Sequence, residues 1–332
     1  MKMKKTLAFI MTAALTVGTM AGCSQATLNY AQELSNTAKW EATTSSIDGD
    51  LNINVKGKDG TETKQEIKFA ATGYTAKDKS YVDMTFTDPA GKLNIPELKA
   101  YCDGTTSYIN KSFYQGISSL NGQSAPTGLN NITQEYIGID TEASGVDVTK
   151  LKALMTQPDG MVEFGKMIFG GNADLDLPFV QNGREYTINL DADKTVDLAA
   201  KALKATANNL DNLNSTFKLG LPAESITQMK TAANSPEFDK SLPEIKASLA
   251  GTTINSKEVF TDNDYSSDFN MNLQIKDFGT IALTMKTTDT KSDVKGITFP
   301  TSTLKVSQEE FNKLMIPGTK TTIAPSTNVV SK

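Results

Sequence analysis

Just after residue 40 the hydrophobic period of the chain becomes two. Ile47, Gly49, Leu51, Ile53 and Val55 alternate with Asp48, Asp50, Asn52, Asn54 and Lys56. Such a run is a half-buried strand, apolar on one face and wet on the other, of the kind antiparallel sheets use. Lys56-Gly57-Lys58-Asp59-Gly60 then supplies turn chemistry. Three later hairpins test the pattern, because a correct register must keep the apolar residues of both strands on one face. A turn centred on Lys77-Asp78 sets Phe69 opposite Phe86, Ala71 opposite Met84 and Gly73 opposite Val82. A two-residue turn at Asp103-Gly104 sets Leu98 opposite Ile109 and Ala100 opposite Ser107. The loop Asp277-Phe278-Gly279 sets Ile275 opposite Ile281, Leu273 opposite Leu283 and Met271 opposite Met285. All three assignments preserve a common apolar face.

Helical spacing appears elsewhere. Residues 27–40 carry Leu28, Ala31, Leu34 and Ala38 at helical intervals, and Val148–Met155 and Met161–Phe169 flank the breaker Pro158-Asp159-Gly160. A strand over 185–190 precedes the clearest amphipathic helix, about 195–213, whose stripe is Val196, Ala199, Ala200, Leu203, Ala207 and Leu210. Another helix is expected over 223–233, strands over 245–256, and a capped helix where Ser307 and Glu310 precede Phe311. Residues 317–332 form a Ser/Thr/Pro-rich tail with little to bury, expected to be disordered. Strands, helices, then strands again predict an α+β fold on an antiparallel sheet. One domain over 23–316 is favoured over two divided near 170–178, because the central helices can cover both strand sets.

Composition removes several functions. The 332 residues include no histidine and one arginine, Arg184. Imidazole catalysis and histidine-ligated metals are therefore excluded. A net charge of −5 with a single arginine argues against nucleic acid as a partner. No catalytic residue, metal site or cofactor is assigned. The acidic doublets Asp174/Asp176, Asp191/Asp193 and Asp262/Asp264 read as solvated loop acids, since Asp262-Asn263-Asp264 lacks the glycine and closing Glu of a calcium loop. Cys102 has no neighbour to activate it, and Trp40 reads as a packing residue. Tyr74 opposite Tyr81, and Lys99 opposite Tyr108, are either cross-strand stabilisers or part of a protein-binding surface.

The N-terminus gives the address. Met1-Lys2-Met3-Lys4-Lys5 precedes an apolar run from Leu7 to about Val17, too short for a permanent span. Met20-Ala21-Gly22-Cys23 then resembles the lipobox of bacterial lipoproteins, with Met20 where leucine is usual. The resemblance implies removal of residues 1–22 as a signal peptide, lipidation of Cys23, and a partner membrane reached through that anchor at the extracytoplasmic face. Removing residues 1–22 takes away three lysines and no acids, bringing the net charge from −5 to −8. With Cys23 lipidated, Cys102 has no partner for a disulfide.

A lipoprotein of this size, with an N-terminal helix, alternating strands, a helical insertion and a second strand set, resembles the LolA/LolB and LppX-type proteins in element order. That resemblance implies a curved half-barrel, helices over its concave face, and a lipid or lipoprotein ligand. Phe69, Met84, Phe86, Met271, Leu273, Leu283 and Met285 on the strands, with Met167 and Phe169 on a helix, are the candidate groove. Methionine suits surfaces that accept variable apolar partners. A filled core would use the same residues, which keeps a second reading open: a ligand-free interaction module with an envelope protein partner.

Overall fold

The computed structural model describes residues 24–57, 59–120, 126–140, 157, 160–171, 175–217 and 219–316. The signal peptide, Cys23, the tail from 317, the stretch 148–155, Pro158, Asp159 and Asp174 lie outside the described residues.

Helix α1 (Gln25–Thr37) precedes β1 (Ala42–Lys56), β2 (Glu62–Ala76), β3 (Lys79–Thr87), β4 (Leu98–Cys102) and β5 (Thr106–Asn110). Helix α2 (Lys111–Leu120) and the single turn α3 (Thr127–Asn130) lead to β6 (Tyr136–Asp140). After α4 (Gly160–Phe169) come β7 (Val180–Asn182) and β8 (Glu185–Asp191). Four helices follow: α5 (Ala192–Asn208), α6 (Leu210–Thr216), α7 (Ala223–Ala233) and α8 (Pro236–Ser248). The chain returns through β9 (Thr253–Phe260), β10 (Asp264–Ile275), β11 (Gly279–Lys291) and β12 (Thr303–Val306) to α9 (Gln308–Leu314). The fold is α+β.

Among the described residues the strands form one sheet of twelve in the order β12-β6-β5-β4-β3-β2-β1-β11-β10-β9-β8-β7, which is not closed into a barrel. The expectation of a purely antiparallel sheet needs correction. Strand β12 joins β6 in parallel, Leu304 beside Ile137 and Val306 beside Ile139. A long connection rather than a hairpin delivers β12, so hairpin logic has no hold on its direction.

The β2–β3 register is the expected one, with Phe69 opposite Phe86, Ala71 opposite Met84 and Gly73 opposite Val82. The β4–β5 register is displaced by two residues: Ala100, not Leu98, faces Ile109, and Tyr101, not Lys99, faces Tyr108. The cause is Asp103. Its Oδ1 accepts from Thr106 N at 2.8 Å and Thr105 N at 3.2 Å, while its own N–H donates to Thr106 O. The turn is therefore Gly104-Thr105, with Gly104 at φ +99° where only glycine is at ease. A slip of two leaves each side chain on its expected face.

Three helix expectations also change. Helix α8 occupies residues expected to begin a strand; Ser235 caps it, accepting from Phe238 N, and Pro236 starts it. Pro243 lies inside it and no residue along it is buried, so its sequence carries no core-facing apolar stripe. Helix α5 starts at Ala192, capped by Asp191, and ends at Asn208, with Leu203 exposed. On α1 the buried line is Thr27, Tyr30, Ala31 and Ser35, while Leu28 faces water. The capping box at Ser307 and Glu310 is formed as expected.

The described chain divides into two compact units, each discontinuous, with β1, β2 and β11 contributing to both. The first takes the chain up to Trp40, Ile53–Lys64 and Asp147–Met285, so residues 170–178 lie wholly inside it. The second takes Glu41–Asn52, Gln65–Val146 and the chain from Lys286.

In the first unit, α1 sets Tyr30 and Leu34 against Tyr186, Phe260, Phe179 and Tyr265, with ring centroids of Tyr30 and Phe179 4.4 Å apart. Beside them Leu177, Ile188 and Leu190 pack with Leu198 of α5. In the second unit, Ile137 and Ile139 of β6 and Leu304 and Val306 of β12 lie under Phe311 and Leu314 of α9 and Leu129 of α3. Each such fully buried aliphatic side chain contributes roughly 1.5–3 kcal/mol.

Candidate apolar sites on the sheet

One face of the second unit can be followed strand by strand through its pairings. Ile109 on β5 faces Ile137, Ala100 faces Val82, Leu98 faces Met84, and Ala71 and Phe69 continue the rows on β2. The pattern is apolar throughout, but burial is not uniform. Ile137 is 0% exposed beneath the helices, whereas Val82 is 37% exposed. Met84, Phe86 and Phe69 are half-buried, and none of the three joins a core cluster. Phe69 is laid flat over β1 by Gly49, where a Cβ would stand 2.1 Å from the ring. Ile47, Gly49 and Leu51 extend the same half-buried surface.

The first unit repeats this pattern. Leu190 pairs with Ile254 and Ile254 with Met271; Ile188 pairs with Ser256 and Ser256 with Phe269. Ile188 and Leu190 are buried under α5, while Phe269, Met271 and Leu273 on β10 and Ile281, Leu283 and Met285 on β11 are all half-buried. Ile53 and Val55 of β1 have the same partial exposure and extend this surface beyond the predicted groove residues. Every strand residue of the candidate groove thus falls on a half-exposed apolar surface, three in the second unit and four in the first. The two helical candidates differ. Phe169 packs on the Ala31 and Met161 cluster between α1 and α4. Met167 is half-buried, and its backbone oxygen accepts from Asn209 Nδ2.

The opposite face of the second unit carries a tyrosine ladder longer than the Tyr74–Tyr81 pair expected from the sequence. Tyr74, Tyr81, Tyr101 and Tyr108 are successive cross-strand neighbours over β2 to β5. The segment 292–302 lies against this ladder. Lys295 N donates to Tyr74 Oη at 2.5 Å, Tyr74 donates to Asp293 O at 3.0 Å, and Phe299 stacks near Tyr101 and Tyr108. Tyr74 is buried as a result.

Polar anchors hold the α1 cover of the first unit in place, and sequence spacing gave no sign of them. Tyr30 donates to Glu258 Oε2 at 2.6 Å, Tyr265 donates to the same oxygen at 2.9 Å, and Ser256 donates to Oε1. Burial pushes the Glu258 carboxyl above its ordinary value, and the three donors offset part of that rise. The same burial, with the adjacent carboxyl, raises the Tyr30 phenol. Arg184, the chain's one arginine, grips Glu33 with two bonds of 2.8 and 2.6 Å and reaches Asp262 at 2.6 Å. It is a clamp between α1 and the strand ends.

At least one member of each acidic doublet has a partner. Asp176 accepts from Ser24 N and Thr27 Oγ1, Asp191 caps α5, and Asp262 meets Arg184. Cys102 and Trp40 are half-buried. Among the described residues no three acidic or cysteine side chains converge as metal ligands, and no helix is long and apolar enough to cross a membrane. Compared with known proteins, the chain matches no family model and no curated protein.

Proposed function

We propose that this chain is a non-catalytic, membrane-anchored lipoprotein of the extracytoplasmic face, tethered through Cys23, that binds or carries an apolar ligand on its sheet. In this reading the sheet curves as a half-barrel and the ligand lies on its helix-bearing side. One observation carries the proposal. Phe69, Met84, Phe86, Met271, Leu273, Leu283 and Met285 are apolar yet half-exposed, on the faces whose outer strands are sealed by helices. A soluble chain that leaves so many large apolar groups in water meets a hydrophobic cost of about 25 cal/mol per Å² unless something covers them. The methionines suit a ligand of variable shape.

The test is direct. The chain from residue 23 on, carrying Cys23→Ser, is purified without detergent, extracted with organic solvent and analysed by mass spectrometry. The expected result is a co-purified lipid class, or uptake of a fluorescent fatty acid by the emptied protein. Absence of both overturns the reading.

A further inference from the structure

Cys23, the proposed anchor, is one peptide bond away from the folded first unit. Ser24 follows it directly and is the N-cap of α1, its hydroxyl accepting from Thr27 N. Consecutive Cα atoms stand about 3.8 Å apart, so no flexible linker separates Cys23 from the helix. The first turn of α1 is itself fixed to the unit. Ser24 N donates to Asp176 Oδ1 at 2.9 Å, and Thr27 Oγ1 donates to the same oxygen at 2.7 Å. Further along, Tyr30 donates to Glu258 and Arg184 grips Glu33. A body on a long Gly/Ser linker samples every orientation; this one is held at the first turn of a helix bound along its length.

The exposed surface of that turn is unusual in its chemistry. Residues 24–32 carry no charge, and the first charged residue, Glu33, is paired with Arg184. Thr27, Tyr30 and Ala31 are buried in the unit, whereas Gln25 and Leu28 face outward, Leu28 with 37% exposure. Asp176, bound to this turn, is answered by Lys201 of α5. At 1.5 Å per residue, Leu28 stands about 6 Å along the axis from Ser24. That is within the depth of roughly 5–10 Å to which apolar groups of interfacial helices are buried. Loss of residues 1–22, with their three lysines, takes the net charge from −5 to −8. Such a body is repelled by anionic lipid, and an uncharged flank with an outward leucine is the part that can approach it.

We infer that the first turns of α1, with Gln25 and Leu28 outermost, lie in the lipid head-group layer and seat the first unit on the bilayer in one orientation. The partner of this surface is a lipid bilayer, met through uncharged contacts rather than a basic patch. The inference rests on the proposed anchoring at Cys23 and adds the protein surface that meets the membrane.

The experiment uses the full chain, purified from membranes in detergent and returned to vesicles of phosphatidylethanolamine and phosphatidylglycerol, some carrying a head-group nitroxide. A nitrobenzoxadiazole label is placed at Leu28→Cys or at Asn263→Cys, each with Cys102→Ser. Asn263 is exposed and follows Asp262, at the Arg184 end of α1. Nitroxide quenching is expected to be at least threefold greater at position 28 than at position 263. A flexible Gly/Ser segment inserted between Cys23 and Ser24 should lower quenching at position 28 at least twofold while the protein still floats with the vesicles. Equal quenching at the two positions, or quenching at position 28 that the insertion leaves unchanged, overturns the seated surface alone. A full chain that does not float with vesicles, or a Cys23→Ser chain that floats equally well, overturns the anchored reading with it.

Discussion

The outer strands and the inner strands of each unit carry the same hydrophobic pattern and meet different fates. On β6 and β12, and on β8, the apolar residues are dry; Phe69 of β2, Met84 and Phe86 of β3 and the large apolar residues of β10 and β11 stay half wet, although Ala71 beside Met84 is buried. The difference lies in the helices. Helix α9 packs on β6 and β12, and α5 packs on β8. Alternation therefore decides which face a residue joins, while the distant element laid over that face decides whether it is core or surface. The half-covered strands are where the proposed ligand binds.

The largest effect expected from this contrast is in stability. Ile137→Ala and Ile188→Ala, under helices, should each cost about 2–5 kcal/mol, the usual range for deleting buried aliphatic groups. Met84→Ala and Leu273→Ala should each cost under about 1.5 kcal/mol, because water already reaches those side chains. Urea denaturation midpoints measure all four. Equal costs on covered and open strands would end the distinction.

Next in size is the seal itself. Ser307 caps α9 through Glu310 N, with Glu310 returning a bond to Ser307 N. Ser307→Ala should cost about 1 kcal/mol, and amide exchange should rise in α9 before it rises in β2 or β3. A uniform rise would mean that α9 does not seal that end separately.

The cover of the first unit has a pH dependence of known sign. Glu258 in the folded protein holds its proton to higher pH than an unfolded glutamate would. Between the ordinary value and the raised one the folded state binds more protons, so stability is fullest below that window and falls as pH rises through it. Glu258→Gln keeps a hydrogen-bonding carboxamide and should flatten the fall. Unfolding midpoints of both proteins from pH 4 upward decide it, and a stability that climbs over that interval would contradict the burial account.

The smallest effect belongs to Tyr114 of α2, whose hydroxyl is buried without a hydrogen-bond partner among the described residues. Burial also raises its phenol. Tyr114→Phe removes a desolvated hydroxyl and should be neutral or stabilising by up to about 1 kcal/mol. A clear destabilisation would reveal a polar interaction at the covered end.

Local chemistry was legible in the sequence, and long-range assembly was not. The β2–β3 register and the α9 cap follow from residues a few positions apart. The β4–β5 slip came from a side chain, Asp103, competing for backbone donors, which a count of turn residues overlooks. Helix α8 was hidden because it buries nothing. The parallel β6–β12 pair and the Tyr30–Glu258 bond join segments 167 and 228 residues apart. No period within a window reports contacts of that range. The strand members of the candidate groove were readable as one face; their partial exposure was not, because it depends on where α5 and α9 end.

The central claim is that the half-exposed faces bind an apolar ligand, and titration with the neutral dye Nile red tests it most directly. The chain from residue 23 on, with Cys23→Ser, should take up the dye saturably. Met84→Gln with Phe86→Gln in the second unit, and Met271→Gln with Leu273→Gln in the first, should each weaken uptake at least tenfold at their own site without lowering the unfolding midpoint much. Tyr81→Gln, on the opposite face, should leave uptake unchanged. Absence of saturable uptake, or uptake indifferent to both pairs of substitutions, would contradict the account.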